Sequence, residues 1–331
     1  MSNTIRFLLL IVGLLCAGLL SLAVGSVTIS LQDLWNALTG SSSDNVASMI
    51  LWQMRIPRAL TAVFAGAGLS VAGLLMQTVF RNQLAGPYML GVSSGAGLGV
   101  ALVMLIGFGT GTWFGPVVAA TIGAGLVMTL VLWLARFCRS SVSLLILGMM
   151  IGYLVDSMVS LLIHFGDPTR LQAFVNWGFG SFGRANWSDL RILGTVVLVG
   201  LFLTVPALKY LNAILLGESA AQSLGISVRR NRIIALGAAS LLAAVVTVYC
   251  GPIGFLGLAV PHLARGMFRT ANHRILLPAS ALCGAGLALL AGWVANLPTQ
   301  GGVLPLNSVT ALIGVPVVFW ALLKGRGQTD E

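Results

Sequence analysis

The sequence predicts an all-α polytopic membrane protein with about ten transmembrane helices. Of its 331 residues, 57% are hydrophobic and only 8% are charged, whereas soluble domains contain about 25% charged residues. The apolar residues form runs close to the length of about 20 residues that a helix needs to cross the hydrocarbon core. A water-soluble enzyme, a disordered chain and a disulfide scaffold are therefore excluded.

Ten apolar segments justify the count of helices, and the segment from Pro252 is short and broken by glycine. They are Phe7–Gly25, Ala59–Phe80, Gly91–Gly109, Trp113–Phe137, Leu144–His164, Leu190–Leu208, Ile233–Tyr249, Pro252–Met267, Ile275–Ala295 and Leu306–Leu323. The first segment, with Arg6 ahead of it, resembles a signal peptide. Its apolar run is longer than the usual h-region of about 7–15 residues, so we interpret it as the first span.

The lysines and arginines predict the orientation. With the N-terminus in the cytoplasm, 13 of the 18 basic residues lie on the cytoplasmic side. The outer side receives the other five, namely Arg55, Arg58, Arg170, Arg184 and Arg191. This distribution follows the positive-inside rule. It predicts a multi-pass protein with both termini in the cytoplasm.

The connections predict one transmembrane domain over residues 1–331. Residues 27–57 and 165–189 form long outer segments, and residues 209–232 form the longest polar segment inside. Within that inner segment, Leu215–Gly225 has the small-residue pattern of a short helix. A membrane protein without its own ATP site could dock a separate motor there, although an ordinary surface loop fits the pattern equally well.

Motifs for chemistry within the chain are scarce. The sequence has neither a phosphate-binding G-x-x-x-x-G-K-[ST] loop nor an H-E-x-x-H zinc motif. The four cysteines are far apart, so we predict no metal site. The scattered basic residues fit membrane topology better than nucleic-acid binding. Ser93 lies in a G-x-S-x-G pattern typical of a nucleophile elbow, but close helix packing explains its small neighbours more simply.

Asp156 is the only acidic residue within a predicted span. An intramembrane acid is a candidate functional group, so an ion-coupled secondary transporter using Asp156 is the alternative hypothesis. Such a transporter usually has more polar groups at mid-depth. A repeated Gly-Pro pattern, at Gly86–Gly91 and Gly251–Gly257, also suggests two related halves.

Several stretches together resemble the permease subunits of bacterial ABC importers for iron-siderophores, haem and cobalamin, the iron-chelate uptake permeases. The resemblance covers essentially the whole chain. It rests on Arg55–Arg58 with Gly66–Leu69 and Gly73, Arg81–Pro87 leading into Leu90–Ala96, Leu216–Ile226, Gly251–His262 with Arg265, and Val309–Pro316. The chain departs from the family pattern at Gln83, Gly86 and Leu304–Asn307.

The resemblance implies a type II ABC importer permease fold of ten helices in the bacterial inner membrane, usually as a homodimer. It implies two ATPase subunits below the permease and a periplasmic substrate-binding protein above it. ATP and magnesium would be used by the ATPase, so this chain would bind no cofactor and hydrolyse nothing. The residues that match the family's ATPase-coupling segment are Leu216, Gly217, Glu218, Ala221, Leu224 and Gly225.

Two further sets of residues are carried over from the resemblance. Arg55 and Arg58 match arginines that pair with glutamates of the binding protein, and Asn296 stands where a third arginine is usual. Ser141 and Val142 align with the cytoplasmic gate. The cargo implied is a metal chelate, with an iron-siderophore favoured because it is the commonest cargo, and haem or cobalamin as the other candidates.

Overall fold

The computed structural model describes residues 2–23, 32, 35–36, 45–107, 115–138, 140–297 and 303–326. These residues form helices and connecting turns, without a β-strand among them. The α-helices whose bounds lie within the described ranges are α1 (Asn3–Ala23), α2 (Asn45–Ile50), α3 (Ile56–Val79), α4 (Val92–Ala101), α5 (Pro116–Leu134), α6 (Ser141–His164), α7 (Pro168–Gly178), α8 (Trp187–Thr204), α9 (Leu208–Ala213), α10 (Glu218–Ser223), α11 (Val228–Cys250), α12 (Leu256–Phe268), α13 (His273–Ala295) and α14 (Leu306–Arg326).

The prediction of an all-α membrane protein is confirmed. Seven helical stretches of the described chain are long and apolar enough to cross a membrane, and Val92–Ile106 and Leu306–Phe319 are shorter apolar helices. With the 13-residue helix α12, these stretches follow the order of the ten predicted segments. A length of 13 residues is too short to cross the hydrocarbon core by itself.

Helix α3 is the centre of the bundle. It packs against α8, α11, α12 and α13, and most of its side chains are buried. Small residues make these contacts possible, because a Cβ atom at Gly66 would overlap the carbonyl oxygen of Gly284 on α13, and one at Gly73 would overlap that of Gly257 on α12. Such close backbone approach is typical of helices that associate within a membrane.

Helices α1 and α6 lie at the periphery. Many of their apolar side chains are exposed, including Leu8 and Leu15 on α1 and Ile146 and Leu154 on α6. Exposed apolar surface of this extent is unfavourable in water and suits a lipid or protein contact. Helix α1 nevertheless packs along α13, so the first predicted segment is part of the bundle.

The two Gly-Pro segments meet in space. The hydroxyl oxygen of Tyr88 accepts a hydrogen bond from the backbone N–H of Ile253 at 3.1 Å. A Cβ atom at Gly257 would lie 2.6 Å from Cδ of Pro87. The repeated pattern in the sequence therefore corresponds to a contact between the two halves of the chain, next to the starts of α4 and α12.

The three long connections contain helices of their own. The described end of segment 27–57 is helical, and a five-residue π-helix, Leu51–Arg55, joins it to α3. Segment 165–189 contains α7, which begins where the carboxylate of Asp167 accepts hydrogen bonds from the next turn. Segment 209–232 contains most of α9, a 3₁₀-helix at Ile214–Leu216, α10 and the start of α11.

Candidate functional site

The predicted coupling residues lie on and around the short helix α10. Gly217 precedes it with φ of +109°, and Gly225 follows it with φ of +74°. Both values lie in the region that glycine adopts most readily. Ala221, within α10, is fully buried, whereas Leu216 and Leu224, which flank α10, are 72% and 64% exposed. The sequence thus anchors α10 by one small residue and places an exposed leucine at each end.

One ion pair connects α10 to the helix that follows it. The carboxylate of Glu218 lies 2.5 Å from the Arg232 guanidinium, and the side chains are 37% and 5% exposed, respectively. Arg232 is thus buried with its charge compensated, as the cost of burying an isolated charge requires. Tyr210 is buried nearby; burial raises the pKa of its hydroxyl, and Arg232 lowers it in turn.

The same carboxylate contacts the start of α6. Ser141 donates a hydrogen bond to Glu218 at 3.2 Å, and the Ser140 hydroxyl oxygen caps α6 by accepting from the backbone N–H of Val142 at 3.1 Å. Arg229 donates to the carbonyl oxygen of Arg136, ahead of α6. A displacement of α10 would therefore act on both α11 and the N-terminal end of α6.

The predicted gate residues are placed next to this connection. Ser141 is the first residue of α6, and the side chain of Val142 is 60% exposed. The structure brings Ser141 within hydrogen-bond distance of Glu218, the predicted coupling residue, a contact that the sequence did not indicate. The gate at Ser141 and Val142 stays a prediction.

The three residues predicted for docking differ in their hydrogen-bond partners. Arg58 donates to the side-chain oxygen of Asn296 at 2.7 Å. Arg55 is only 7% exposed, and it donates to the carbonyl oxygens of Leu22 at 2.5 Å and Ala23 at 3.0 Å. Its guanidinium therefore caps the C-terminal end of α1. This arrangement keeps Arg58 and Asn296 as the candidate docking pair and gives Arg55 a structural contact.

Asp156 faces a cavity of about 580 Å³. The lining combines polar and aromatic side chains from α4, α6, α7 and α14, among them Ser93, Ser94, Asp156, Phe174, Trp177 and Asn307. Asp156 is exposed, and its carboxylate has no hydrogen bond or ion pair with another described residue. The cavity lining contains hydroxyl and amide side chains but no acidic side chain besides Asp156, which does not favour an ion-coupling site.

Ser93 lies in the first turn of α4. A nucleophile elbow needs a strand before the serine, and no strand occurs in the described ranges. A Cβ atom at the neighbouring Gly95 would lie 2.5 Å from the carbonyl oxygen of Gly123 on α5. The small residues therefore serve helix packing here, as the sequence analysis favoured. In the same described ranges, no group of three or more His, Cys, Asp or Glu side chains could hold a metal ion.

Three polar residues that connect separate segments of the bundle were not identified from the sequence. Asn307 donates to the carbonyl oxygens of Pro252 at 2.7 Å and Gly178 at 3.0 Å, and accepts from the backbone N–H of Gly254 at 2.8 Å. It thereby satisfies the backbone of the break before α12. Its only signal was the departure from the family pattern at Leu304–Asn307.

Arg184 and Arg265 are the other two connecting residues that were not identified from the sequence. Arg184 donates to the carbonyl oxygens of Asn176 and Trp177 at the end of α7, and burial lowers the pKa of its guanidinium. Arg265 donates to the side chain of Gln77 at 2.6 Å, which joins the C-terminal ends of α12 and α3. Neither partner could be chosen from the sequence, because each lies on a different element.

A bundle with several helices long and apolar enough to cross a membrane defines the class of polytopic membrane proteins. A profile described as "FecCD transport family" matches residues 10–324. The chain therefore belongs to the FecCD transport family. It is a permease subunit of an ABC importer, and ATP hydrolysis in such importers takes place in a separate ATPase.

Relatives agree over nearly the full length. The chain is 36% identical to the hemin transport system permease protein HmuU of Yersinia pestis over 97% of this chain and 96% of the relative. It is 36% identical to the vitamin B12 import system permease protein BtuC of Shigella boydii over 98% of this chain and 97% of the relative. A putative ABC transporter permease protein of Methanocaldococcus jannaschii is 33% identical, over 96% of this chain and 93% of the relative.

Solved structures of transporters are also similar to this chain. An inward-facing conformation of a putative metal-chelate type ABC transporter matches with a TM-score of 0.86 and 31% identity, over 98% of this chain and all of the other. PsaBC from Streptococcus pneumoniae matches with a TM-score of 0.55 over 87% of this chain and 95% of the other. Its identity is only 15%, so it shows the fold alone. These relationships do not favour the ion-coupled alternative.

Proposed function

We propose that this chain is the permease of an ATP-driven importer that moves a metal chelate from the periplasm to the cytoplasm of a bacterium. The observation that carries the proposal is the arrangement around α10, whose exposed leucines offer a contact to an ATPase while Glu218 connects α10 to α6 and α11. The permease family implies an ATPase and a substrate-binding protein as partners. ATP and magnesium belong to the ATPase, and this chain binds no cofactor.

The orientation follows from charge. The coupling segment, with Arg229 and Arg232, belongs to the side that carries 13 of the 18 basic residues. The positive-inside rule makes this side cytoplasmic, where ATP is available. Both termini are then cytoplasmic, and Arg58 with Asn296 is on the periplasmic side of the inner membrane.

Movement at α10 is the proposed input from the ATPase. A displacement of Glu218 pulls on the buried guanidinium of Arg232 and on Ser141, because the same carboxylate contacts both. Ser141 and Val142 form the first turn of α6, so this turn changes position with α10. The ATPase state is thereby transmitted to the cytoplasmic end of α6, the helix that carries Asp156 further along.

The periplasmic contact is proposed at Arg58. A guanidinium can hold a carboxylate through two parallel hydrogen bonds, and the bond to the neutral side chain of Asn296 leaves the Arg58 charge uncompensated. An acidic side chain of the binding protein fits this site. Arg55 acts indirectly, by fixing the end of α1.

A second copy of this chain is proposed to complete the passage. The α6 and α14 helices both line the cavity, and both carry exposed apolar side chains, such as Met150, Leu154, Leu312 and Phe319. A homodimer in which these helices face their counterparts covers part of that surface. It places the two cavities beside a common axis, where a ligand larger than one cavity could pass.

The proposed cargo is an iron-siderophore, with haem and cobalamin as the other candidates. Support comes from the family and from the cavity lining, which has no histidine to bind haem iron. Two relatives of similar identity are named for different cargoes, hemin and vitamin B12. We therefore expect the binding protein, rather than the permease, to select the cargo.

The test is reconstitution of the permease with its ATPase and binding protein in proteoliposomes. We expect ATP-dependent accumulation of a radioiron-labelled ferric siderophore, without accumulation of haem or cobalamin. Accumulation of haem or cobalamin alone would contradict the iron assignment. Failure of an assembled, ATP-hydrolysing complex to accumulate any of the three would contradict the proposed cargo class.

A second test addresses α10. Leu216→Asp should reduce the amount of ATPase that copurifies with the tagged permease, because a charge replaces an exposed apolar contact. Ser223→Ala, at the last residue of α10, serves as the control and should leave copurification unchanged. Equal recovery of the ATPase with both variants would contradict the assignment of α10.

A further inference from the structure

A cavity of about 410 Å³ opens where the start of α1 meets the end of α12. Its lining is Arg6, Leu9, Gly266, Met267 and Arg269. Two side chains are cationic and two are apolar, and no acidic residue is among them. None of the proposed transport contacts uses these residues.

The structure holds the two arginines on one side of this cavity. Arg6 donates to the carbonyl oxygen of Phe268 at 2.8 Å, which brings its guanidinium next to the following residue, Arg269. The rings of Phe7 and Phe268 pack with centroids 4.6 Å apart, so the two helix ends are fixed against each other. Arg269 itself has φ of +49°, an uncommon value for a residue with a Cβ atom.

The Arg269 side chain is exposed, and among the described residues it has no hydrogen bond or ion pair. Its backbone N–H ends α12 by donating to the carbonyl oxygen of Arg265 at 2.8 Å. The cavity therefore offers one guanidinium with all its donors available and a second, Arg6, with donors beyond the one used by Phe268. The two guanidinium groups together favour a negatively charged ligand with several acceptor oxygens.

The apolar half of the cavity indicates the source of that anion. Leu9 is 57% exposed and Met267 is 42% exposed, and Leu9 continues into the exposed apolar surface of α1. A soluble anion gains nothing from this surface, whereas an acyl chain does. Basic pockets between helices on the cytoplasmic side are typical sites for anionic lipid head groups.

We propose that this cavity binds the phosphate of an anionic phospholipid of the cytoplasmic leaflet. The phosphate oxygens accept from Arg6 and Arg269, and the first methylene groups of an acyl chain lie against Leu9 and Met267. The bound lipid joins α1 to α12 at the membrane surface. The proposal uses the membrane orientation given above but is independent of cargo and of ATP.

The test is lipid titration of the purified full chain in mild detergent after delipidation. Native mass spectrometry reads the number of phosphatidylglycerol or phosphatidylcholine molecules that remain bound. We expect retention of phosphatidylglycerol in preference to phosphatidylcholine. Arg269→Gln should weaken phosphatidylglycerol binding about fivefold, the effect of removing one basic side chain near an anionic lipid.

Arg274→Gln is the matched control, because Arg274 is also exposed and lies a few residues along the chain but does not line the cavity. It should leave binding unchanged. An equal loss with both variants would overturn the proposal in favour of diffuse surface charge. Equal retention of the two lipids would overturn it as well.

Inorganic phosphate distinguishes a free anion from a lipid. If millimolar phosphate displaces phosphatidylglycerol completely and itself raises the thermal midpoint of the delipidated protein, the site belongs to a soluble anion and the proposal fails. Arg6→Gln also breaks a bond within the protein, so Arg269→Gln decides the result. Uptake in proteoliposomes is measured separately, so loss of this site and failure of the proposed transport function are distinguishable.

Discussion

Replacing Glu218 by glutamine tests the connection between α10 and the rest of the bundle. The substitution keeps the shape of the side chain and an acceptor oxygen for Ser141. It removes the negative charge that lies 2.5 Å from Arg232. The buried guanidinium is then left without a compensating charge.

The structure sets the size of the effect. Removing one partner of a fully buried ion pair costs about 3–5 kcal/mol, whereas exposed pairs contribute about 0–1 kcal/mol. Arg232 is 5% exposed, but the Glu218 side chain is 37% exposed, so solvent screens part of the interaction. We therefore expect Glu218→Gln to lower the free energy of unfolding by about 2 kcal/mol, intermediate between the two limits.

The assay is unfolding of the purified permease by denaturing detergent, followed by uptake and ATP hydrolysis in proteoliposomes. Ser223→Ala, on the same helix, is the control and should change stability by less than about 0.5 kcal/mol. We expect Glu218→Gln to reduce uptake per ATP hydrolysed, because α10 is then less firmly connected to α6. A variant with wild-type stability and an unchanged ratio of uptake to hydrolysis would refute the reasoning.

Three other predictions concern packing, Asp156 and docking. Gly73→Ala should destabilise the bundle by about 3 kcal/mol or prevent its assembly, because the new Cβ overlaps the backbone of α12. Gly125→Ala, with open space around it, is the control. Equal thermal stability of the two variants would contradict the packing described for Gly73. Asp156→Asn should retain most ATP-dependent uptake, measured at several external pH values; loss of uptake with the complex intact would revive the ion-coupled alternative. Arg58→Gln should weaken binding of the periplasmic protein about tenfold, the effect of a lost charge-assisted hydrogen bond of about 1.5 kcal/mol, measured by surface plasmon resonance. Arg55→Gln should instead lower thermal stability, since its partners are carbonyl oxygens of α1; the reverse pattern would overturn both assignments.

The helices of the bundle were predictable because the bilayer fixes their length and composition. A run of about 20 apolar residues has few alternatives to a membrane helix, so the order of ten segments was evident before any contact was known. Boundaries were less accurate. The predicted segment began at Ala59, whereas the helix already runs from Asn45 through a π-helix into α3.

The candidate site was predictable only in part. The resemblance placed Glu218 and Ser141 in two functional segments, but they are 77 residues apart in the chain, and nothing local indicates that they share a hydrogen bond. Arg55 shows the same limit. Its motif indicated a docking residue, which stays a prediction, and gave no sign that the guanidinium donates to a carbonyl oxygen at the end of α1.

The amino-acid sequence by itself determined the class of protein and the order of its apolar helices, because these depend on hydropathy and local motifs. The orientation and the coupling segment are predictions from the basic residues and from the family resemblance. Only the tertiary structure decided which side chains meet. It joined Glu218 to Arg232 and Ser141, Asn307 to the break before α12, and Arg6 to the residue beside Arg269. The physical reason is that the partner of a polar group within a bundle is chosen by how distant helices pack, and that information is spread over the whole chain.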